Sequence, residues 1–131
     1  MCDTPLTVDR AAALACYLQA LCSYLLDRTE PAPAESDYLV YNYNRFQACR
    51  FGLEGTLVHP KGYDATLLRE DIITTLGKVR RHAQALSGTA ALDHLELAAR
   101  TGSDATILRK RYRESGSAHG MVGAAMEMFR S

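Results

Sequence analysis

Two arginines set among amides and aromatic rings form the densest group of chemically active side chains in this sequence. Arg45 and Arg50 lie five residues apart in the run 41–52, and Asn44 directly precedes the first of them. A guanidinium group binds a phosphate or a carboxylate through two parallel hydrogen bonds, and neighbouring rings would restrict its rotamers. The run is therefore consistent with an anion site.

A structural role for the same two arginines stays open at this point. Either guanidinium could lie over the face of a neighbouring tyrosine, which attracts cations. Either could also pair with one of three nearby carboxylates, those of Glu35, Asp37 and Glu54.

The other candidate groups give weaker signals. No two cysteines have C-x-x-C spacing and no paired histidines complete a ligand set, so we predict no metal site. The four cysteines are interpreted as reduced structural thiols, with Cys16 and Cys22 buried in a helix, which favours a reducing compartment. The basic run 109–113 is interpreted as a solvated helix face, and nucleic acid is not an expected partner because the chain has 15 basic and 15 acidic residues.

Length and composition fit one ordinary globular domain, or one segment of a larger domain. The chain has 131 residues, of which 47% are hydrophobic and 23% charged, so global disorder is excluded. The N-terminal residues do not resemble a signal peptide, and the longest apolar stretch, 11–26, is too short to span a membrane. We expect a cytoplasmic protein.

The hydrophobic periodicity predicts a mainly α chain, a helical bundle-like segment with one short β-hairpin. Helices are predicted from Thr7 to about 27, over 38–51, from 68 to before Gly88, over 89–100, over 103–115 and from 117 onward. The hairpin strands are predicted at 56–59 and 63–67. The proposed N-caps are Thr7, Ser36 or Asp37, Thr89, Ser103 and Ser117.

The helix predicted over 38–51 has to position both arginines. Its tyrosines and asparagines have mediocre helix propensity, so contacts with the rest of the chain have to hold it. It is predicted to end at Gly52, directly before the hairpin. A lone hairpin is marginally stable in water, so we expect it to lean on helices.

The run from Asn44 to Leu53, N-R-F-Q-A-C-R-F-G-L, closely resembles the signature N-R-(F/W)-x-A-x-R-(F/Y)-G-L of the glutamate–cysteine ligase type 2 family, also called carboxylate–amine ligases. Three further segments agree with the resemblance, in order and over nearly the whole chain. Residues 2–7 resemble the stretch after a strand that carries glutamate and arginine. Residues 68–72 resemble the start of the helix after the family's hairpin, and Asp104-Ala105 with Leu108-Arg109 resembles the near-terminal N-D-A-x-x-L-R pattern.

The resemblance implies an ATP-dependent ligase that activates a carboxylate, typically the γ-carboxylate of glutamate, as an acyl phosphate for attack by an amine. Arg45 and Arg50 match the family's signature arginines and are expected to be catalytic and to contact ATP or substrate anions. Asn44 matches the preceding asparagine and is expected to bind substrate or ATP together with them, as a hydrogen-bonding support.

Family members are much longer, so the chain would correspond to the C-terminal part of a larger α+β ligase fold. The acidic residues expected to bind Mg²⁺ would then precede Met1. ATP and Mg²⁺ are thus expected for the full enzyme, with neither bound by this chain alone, which should be inactive. The alternative is a non-enzymatic helical module that forms homo-oligomers, or associates with the missing N-terminal part, through the apolar stripes on residues 14–25 and 68–86.

Overall fold

A computed structural model describes residues 5–29 and 33–130, and within them the chain is mainly α with one small sheet. The two short strands are antiparallel and pair Leu57 with Thr66. This confirms the predicted fold class. The helices are α1 (Val8–Leu26), α2 (Glu35–Phe51), α3 (Leu68–Ala85), α4 (Thr89–Thr101), α5 (Asp104–Ser115) and α6 (Ala118–Arg130), and the strands are β1 (Thr56–Val58) and β2 (Ala65–Leu67).

The core lies between α1, α3 and α4, which pack against one another. Leu76, Val79 and Ala83 of α3 are buried together with Leu92 of α4 and Ala20 of α1. The predicted apolar face of α3 is thus confirmed as a core face. For the same reason, the stripe on residues 68–86 cannot be an association surface as predicted, since its central residues are already covered inside the chain.

The core face of α1 lies beside its leucine stripe. Ala13 and Ala20 are buried, and Tyr17 and Tyr24 pack against the same cluster. Each leucine of the stripe directly follows one of these four residues, and one residue corresponds to about 100° around a helix. Small alanines let α3 and α4 approach α1 closely on that side. The 14–25 stripe therefore remains exposed at Leu14, Leu18 and Leu25.

Three of the predicted helix caps are confirmed. The hydroxyl of Thr7 accepts a hydrogen bond from the Arg10 amide at 3.1 Å, which starts α1. The hydroxyls of Ser103 and Ser117 accept from amides in the first turns of α5 and α6. Each satisfies a backbone donor that the helix itself leaves free.

Two predicted caps are wrong. α2 begins earlier than expected, with Ala34 at the N-cap, and Ser36 lies inside the helix. The Asp37 carboxylate reaches back and accepts from the Ala34 amide at 2.9 Å, so it serves the helix start from the third position. In α4, Thr89 is the first helical residue and Gly88 is the N-cap.

None of the helices in the two described stretches is long and apolar enough to cross a membrane. The predicted loop with two prolines at 31 and 33 lies partly outside the described residues.

Candidate functional site

α2 packs mainly on β1 and on the 3-10 turn Gly52–Glu54, and it makes these contacts through side-chain amides. The Nδ2 group of Asn44 donates to the carbonyl of Val58 at 2.9 Å, and the Val58 amide donates to Oδ1 of Asn44 at 2.8 Å. One turn further along, the Oε1 atom of Gln47 accepts from the Thr56 amide at 3.4 Å. The half-buried side of α2 therefore combines these two amides with Val40 and Ala48.

These amides occupy the edge of β1 that β2 does not use. The amide of His59 donates to the Asp64 carbonyl at 3.0 Å, and the carbonyl of Gly55 accepts from the Leu68 amide at 2.8 Å, so both residues bond towards β2. Both lie an odd number of residues from Val58 along the chain. Successive residues of a strand direct their backbone groups to opposite edges, so Thr56 and Val58 face α2. Asn44 thus acts like a short piece of neighbouring strand. It fixes α2 to the hairpin, a contact that composition and spacing did not predict.

Arg45 and Arg50 are both exposed on α2. Across residues 5–29 and 33–130, neither guanidinium makes a hydrogen bond, an ion pair or a contact over an aromatic ring. Two of the three carboxylates that could have paired with them are engaged elsewhere: Asp37 bonds to the start of its own helix, and Glu54 pairs with Arg69. Within the described residues, the structural alternative for these arginines is not observed.

The two arginines leave α2 in different directions. Five residues correspond to about 500° of rotation, so Arg45 and Arg50 are about 140° apart around the helix axis. Arg45 shares its side of the helix with Tyr38 and Tyr41, at spacings of seven and four residues. Arg50 shares its side with Tyr43 and Phe46, at the same two spacings. Because the two directions diverge, they face different parts of any surface that covers α2.

The side of α2 that faces away from the hairpin is rich in aromatic rings. Half of the ten aromatic residues of the chain lie on this helix, and each is between 45% and 63% exposed. Tyr38 and Tyr41 stack with ring centroids 6.2 Å apart, and Phe46 and Phe51 meet edge to face at 6.5 Å. No residue of α2 is fully buried. The helix that carries the signature is therefore covered on its polar side only.

The described residues do not form a site that fits Mg²⁺. No group of three or more His, Cys, Asp or Glu side chains in this part of the chain is arranged to hold a metal ion. Mg²⁺ is bound by carboxylate and phosphate oxygens in a near-octahedral arrangement, so unpartnered arginines cannot replace such ligands. The arginines do fit the phosphate groups of a nucleotide, as guanidinium groups do in general.

The thiols and imidazoles have structural surroundings. Cys16, Cys22 and Cys49 are free thiols, whereas Cys2 lies outside the described residues. Cys22 is exposed, so its predicted burial is wrong. Nδ1 of His82 lies 3.1 Å from the hydroxyl of Ser23, joining α3 to α1.

A second polar cluster ties the start of α5 to α1 and α4. Arg10 pairs with Asp104 at 3.2 Å, and its Nε group donates to Nε2 of His94 at 3.1 Å. The other carboxylate oxygen of Asp104 accepts from the Leu6 amide at 3.1 Å. Sequence reasoning singled out Asp104 only through the family pattern and missed Arg10, because the partners are more than 80 residues apart in sequence.

An apolar cavity of about 450 Å³ lies beside this cluster, and Tyr17 on α1 forms part of its wall. Burial raises the pKa of the Tyr17 hydroxyl, and the negative charge of Asp71 raises it further. Tyr17 therefore stays neutral over an extended pH range.

The basic run of α5 is partly neutralised within its own helix. Lys110 and Arg111 both lie within ion-pair distance of Glu114, at 3.9 and 3.2 Å. The expectation that this run is a solvated helix face, and not a nucleic-acid site, stays a prediction.

Comparison with known proteins now places the chain. The family model described as "Glutamate-cysteine ligase family 2" matches residues 1–127 of this chain. Since this match covers nearly the whole chain, the chain belongs to glutamate–cysteine ligase family 2.

Individual relatives agree with the family match. The chain is 60% identical over 131 residues to two proteins of Legionella pneumophila, strains Lens and Paris, each called "Putative glutamate--cysteine ligase 2-1". It is 59% identical over 130 residues to "Putative glutamate--cysteine ligase 2-2" of strain Corby. The alignments cover 99% or more of this chain but 35% of each relative. The chain thus spans about a third of these relatives and matches a C-terminal portion of the family fold.

Proposed function

We propose that this chain supplies the C-terminal portion of an ATP-dependent carboxylate–amine ligase that works through an acyl phosphate. Family membership supports the ligase class. The observation that carries the proposal is the state of Arg45 and Arg50, which are exposed and have no partner among the described residues. Two unpaired guanidinium groups on a helix that is otherwise poorly covered are available to anionic groups of a nucleotide or substrate.

The divergent directions of the arginines support a different contact for each of them. A single small anion between them would require both side chains to bend round the helix from positions about 140° apart. We therefore propose that each arginine contacts a different anionic group, one on the nucleotide and the other on the carboxylate substrate. Positive charge held close to the transferring phosphoryl group stabilises the negative charge of the transition state. Asn44 acts through α2 as a positioning residue, because Val58 occupies both ends of its amide.

In this proposal Mg²⁺ is held mainly by residues outside the described part of the chain, since no group of three or more candidate ligands is present among residues 5–29 and 33–130. The proposal also includes the expectation that the chain alone does not turn over ATP. The cytoplasmic location expected from the sequence stays a prediction.

A chimeric protein tests the proposal. The chain replaces the matching region of the Legionella pneumophila strain Lens protein, to which it is 60% identical. ADP release is measured with Mg-ATP, glutamate and cysteine, and the intact Legionella protein serves as the reference. We expect ADP release from the chimera at a rate close to the reference, and none from the chain alone.

Matched arginine variants refine the test. Arg45→Gln and Arg50→Gln in the chimera should each reduce ADP release by about 100-fold or more, as removal of one transition-state donor does. Arg81→Gln is the control, because Arg81 is also exposed on a helix and also lacks a partner among the described residues. Equal activity of all three variants would contradict the assigned roles, and ADP release by the isolated chain would contradict its expected inactivity.

A non-enzymatic association module is the second candidate. The exposed leucines at positions 14, 18 and 25 of α1 favour it, because they form one apolar stripe on the surface. Sedimentation of the chain over a range of concentrations tests it. A mass that stays monomeric at all concentrations would refute self-association.

A further inference from the structure

α2 has a more polar half-buried side and a more aromatic exposed side than a normal surface helix. Its half-buried side carries Asn44 and Gln47, which bond to backbone groups of β1. Its exposed side carries three apolar or aromatic residues at spacings of four and three, which define one face of a helix. We call this face the outer stripe. It consists of Leu39, Tyr43 and Phe46, and Arg50, which is assigned to ligand contact above, follows it at the C-terminal end of the helix.

The outer stripe has the composition and shape of a protein interface. Tyrosine and arginine are the residue types that most often dominate binding energy at interfaces, and lysine is depleted there. α2 contains both types and no lysine. A cleft of about 250 Å³ lies between α2 and β1, lined by Leu39, Val40, Tyr43 and Val58. A cleft of this size next to exposed rings can accept one apolar side chain from a partner.

We propose that the outer stripe is the surface on which the N-terminal portion of the ligase fold docks, with an apolar side chain of that portion filling the cleft. This inference rests on the proposed function for the identity of the partner. The relatives are covered to 35% of their length, so most of the family fold is available to lie against this helix. The face that it would cover is on the signature helix itself.

The area of the stripe favours this occupant over a second copy of the chain. A fully buried aromatic side chain covers about 150–250 Å², and Tyr43 and Phe46 are already about half covered. Together with Leu39 they can therefore add roughly 300 Å², less than half of the 800 Å² that each partner contributes to a standard stable interface. A contact within one polypeptide needs no such area, because its parts are already held together.

Cys49 provides a native reporter for the proposed contact. Its thiol is exposed on α2, three residues after Phe46 and therefore about 60° from it around the helix, whereas Cys22 is exposed on α1. Alkylation by iodoacetamide is followed at both thiols by peptide mass spectrometry, in the isolated chain and in the Legionella chimera. We expect Cys49 to react at least about tenfold more slowly in the chimera, as buried sites do when exposure requires opening. Cys22 should be unchanged.

Phe46→Asp should lower the melting temperature of the chimera and restore alkylation of Cys49, but leave the melting temperature of the isolated chain almost unchanged. Leu97→Asp is the control, because Leu97 is 61% exposed on α4 and Phe46 is 60% exposed on α2. Leu97→Asp should lower the melting temperature only slightly in both proteins. Equal reactivity of Cys49 in the chain and the chimera, or equal damage from both substitutions, would overturn the proposal.

Two further results separate the alternatives. A dimer of the isolated chain that Phe46→Asp dissociates would overturn the proposal in favour of a second copy as the partner. A chimera that protects Cys49 but releases no ADP would refute the ligase reaction and leave the docking surface standing. A chimera that releases ADP while Cys49 stays fully reactive would do the reverse.

Discussion

Replacement of Asn44 by alanine should detach α2 from the hairpin while leaving the helical core intact. The substitution removes two hydrogen bonds of 2.9 and 2.8 Å, both within the range of good geometry, and leaves the Val58 amide and carbonyl without their partner. Each such bond contributes about 0.5–1.5 kcal/mol net, so the expected loss is about 1–3 kcal/mol. Because Val58 is only half-buried, water can bond to its freed backbone groups and recover part of the lost free energy.

Amide hydrogen exchange measures this loss where it occurs. The His59 amide bonds to the Asp64 carbonyl across the hairpin and has no contact with Asn44, so it reports opening of the hairpin as a whole. A loss of 1–3 kcal/mol corresponds to exchange about 5- to 150-fold faster. The Val79 amide, in the buried part of α3, should exchange at its original rate.

Two further variants complete the series. Asn44→Asp keeps the size of the side chain and can accept from the Val58 amide, but it cannot donate to the Val58 carbonyl. Exchange of the His59 amide in Asn44→Asp should therefore be nearly as fast as in Asn44→Ala. Asn42→Ala is the matched control, because Asn42 is an exposed asparagine on the same helix with no side-chain partner among the described residues. Exchange at His59 within twofold of the original in Asn44→Ala would refute the idea that this amide holds α2 in place.

Three other perturbations have defined outcomes. Gly55→Ala should destabilise the chain by about 1–3 kcal/mol in urea unfolding, because the added Cβ would lie 2.8 Å from the backbone oxygen of Gln47. Gly77→Ala, where the space is open, should show a small gain in the same measurement. Equal effects of the two substitutions would contradict the reasoning. Gly88→Ala should cost a similar amount because its Cβ would overlap the Cys16 sulfur. Most of this cost should disappear in a Cys16→Ala background, so that additive costs would be evidence against the contact. The pKa of Tyr17 is raised by burial and by Asp71, so the contribution of Tyr17 to stability is complete below about pH 10 and is lost as the pH rises through the raised pKa. A titration followed by absorbance at 295 nm should show a late-titrating tyrosine that disappears in Tyr17→Phe. Identical titration curves of the two proteins would contradict this.

The sequence predicted best where residue type and packing agree. On α3, the apolar residues at helical spacing are the ones that are buried, and Leu76, Val79 and Ala83 all lie in the contact with α1 and α4. On α1 the leucines suggested the apolar face, but the close approach of two other helices selected the neighbouring alanines. Such a choice depends on how near the partners come, which a periodicity does not contain.

The candidate site shows the same limit more sharply. The motif located Asn44, Arg45 and Arg50 on one helix next to a hairpin, as observed. It did not reveal that Asn44 bonds to a strand, nor that the arginines diverge. An amphipathic pattern is normally interpreted with its apolar side inward, whereas α2 also turns two amides inward because backbone groups of β1 are their partners. The spacing of Asn44 and Gln47, three residues apart before a hairpin, was the signal that could have indicated this.

The attachment of α2 through backbone groups has a consequence for sequence variation. Asn44 recognises the amide and carbonyl of Val58, which every residue except proline presents in the same form. The side chains of β1 can therefore change from one protein to another without loosening the helix, provided that the strand keeps its course. Residue 44 has no such freedom, since a side chain has to offer one donor and one acceptor at a fixed reach. Variation in this region is thus tolerated on the strand and restricted on the helix.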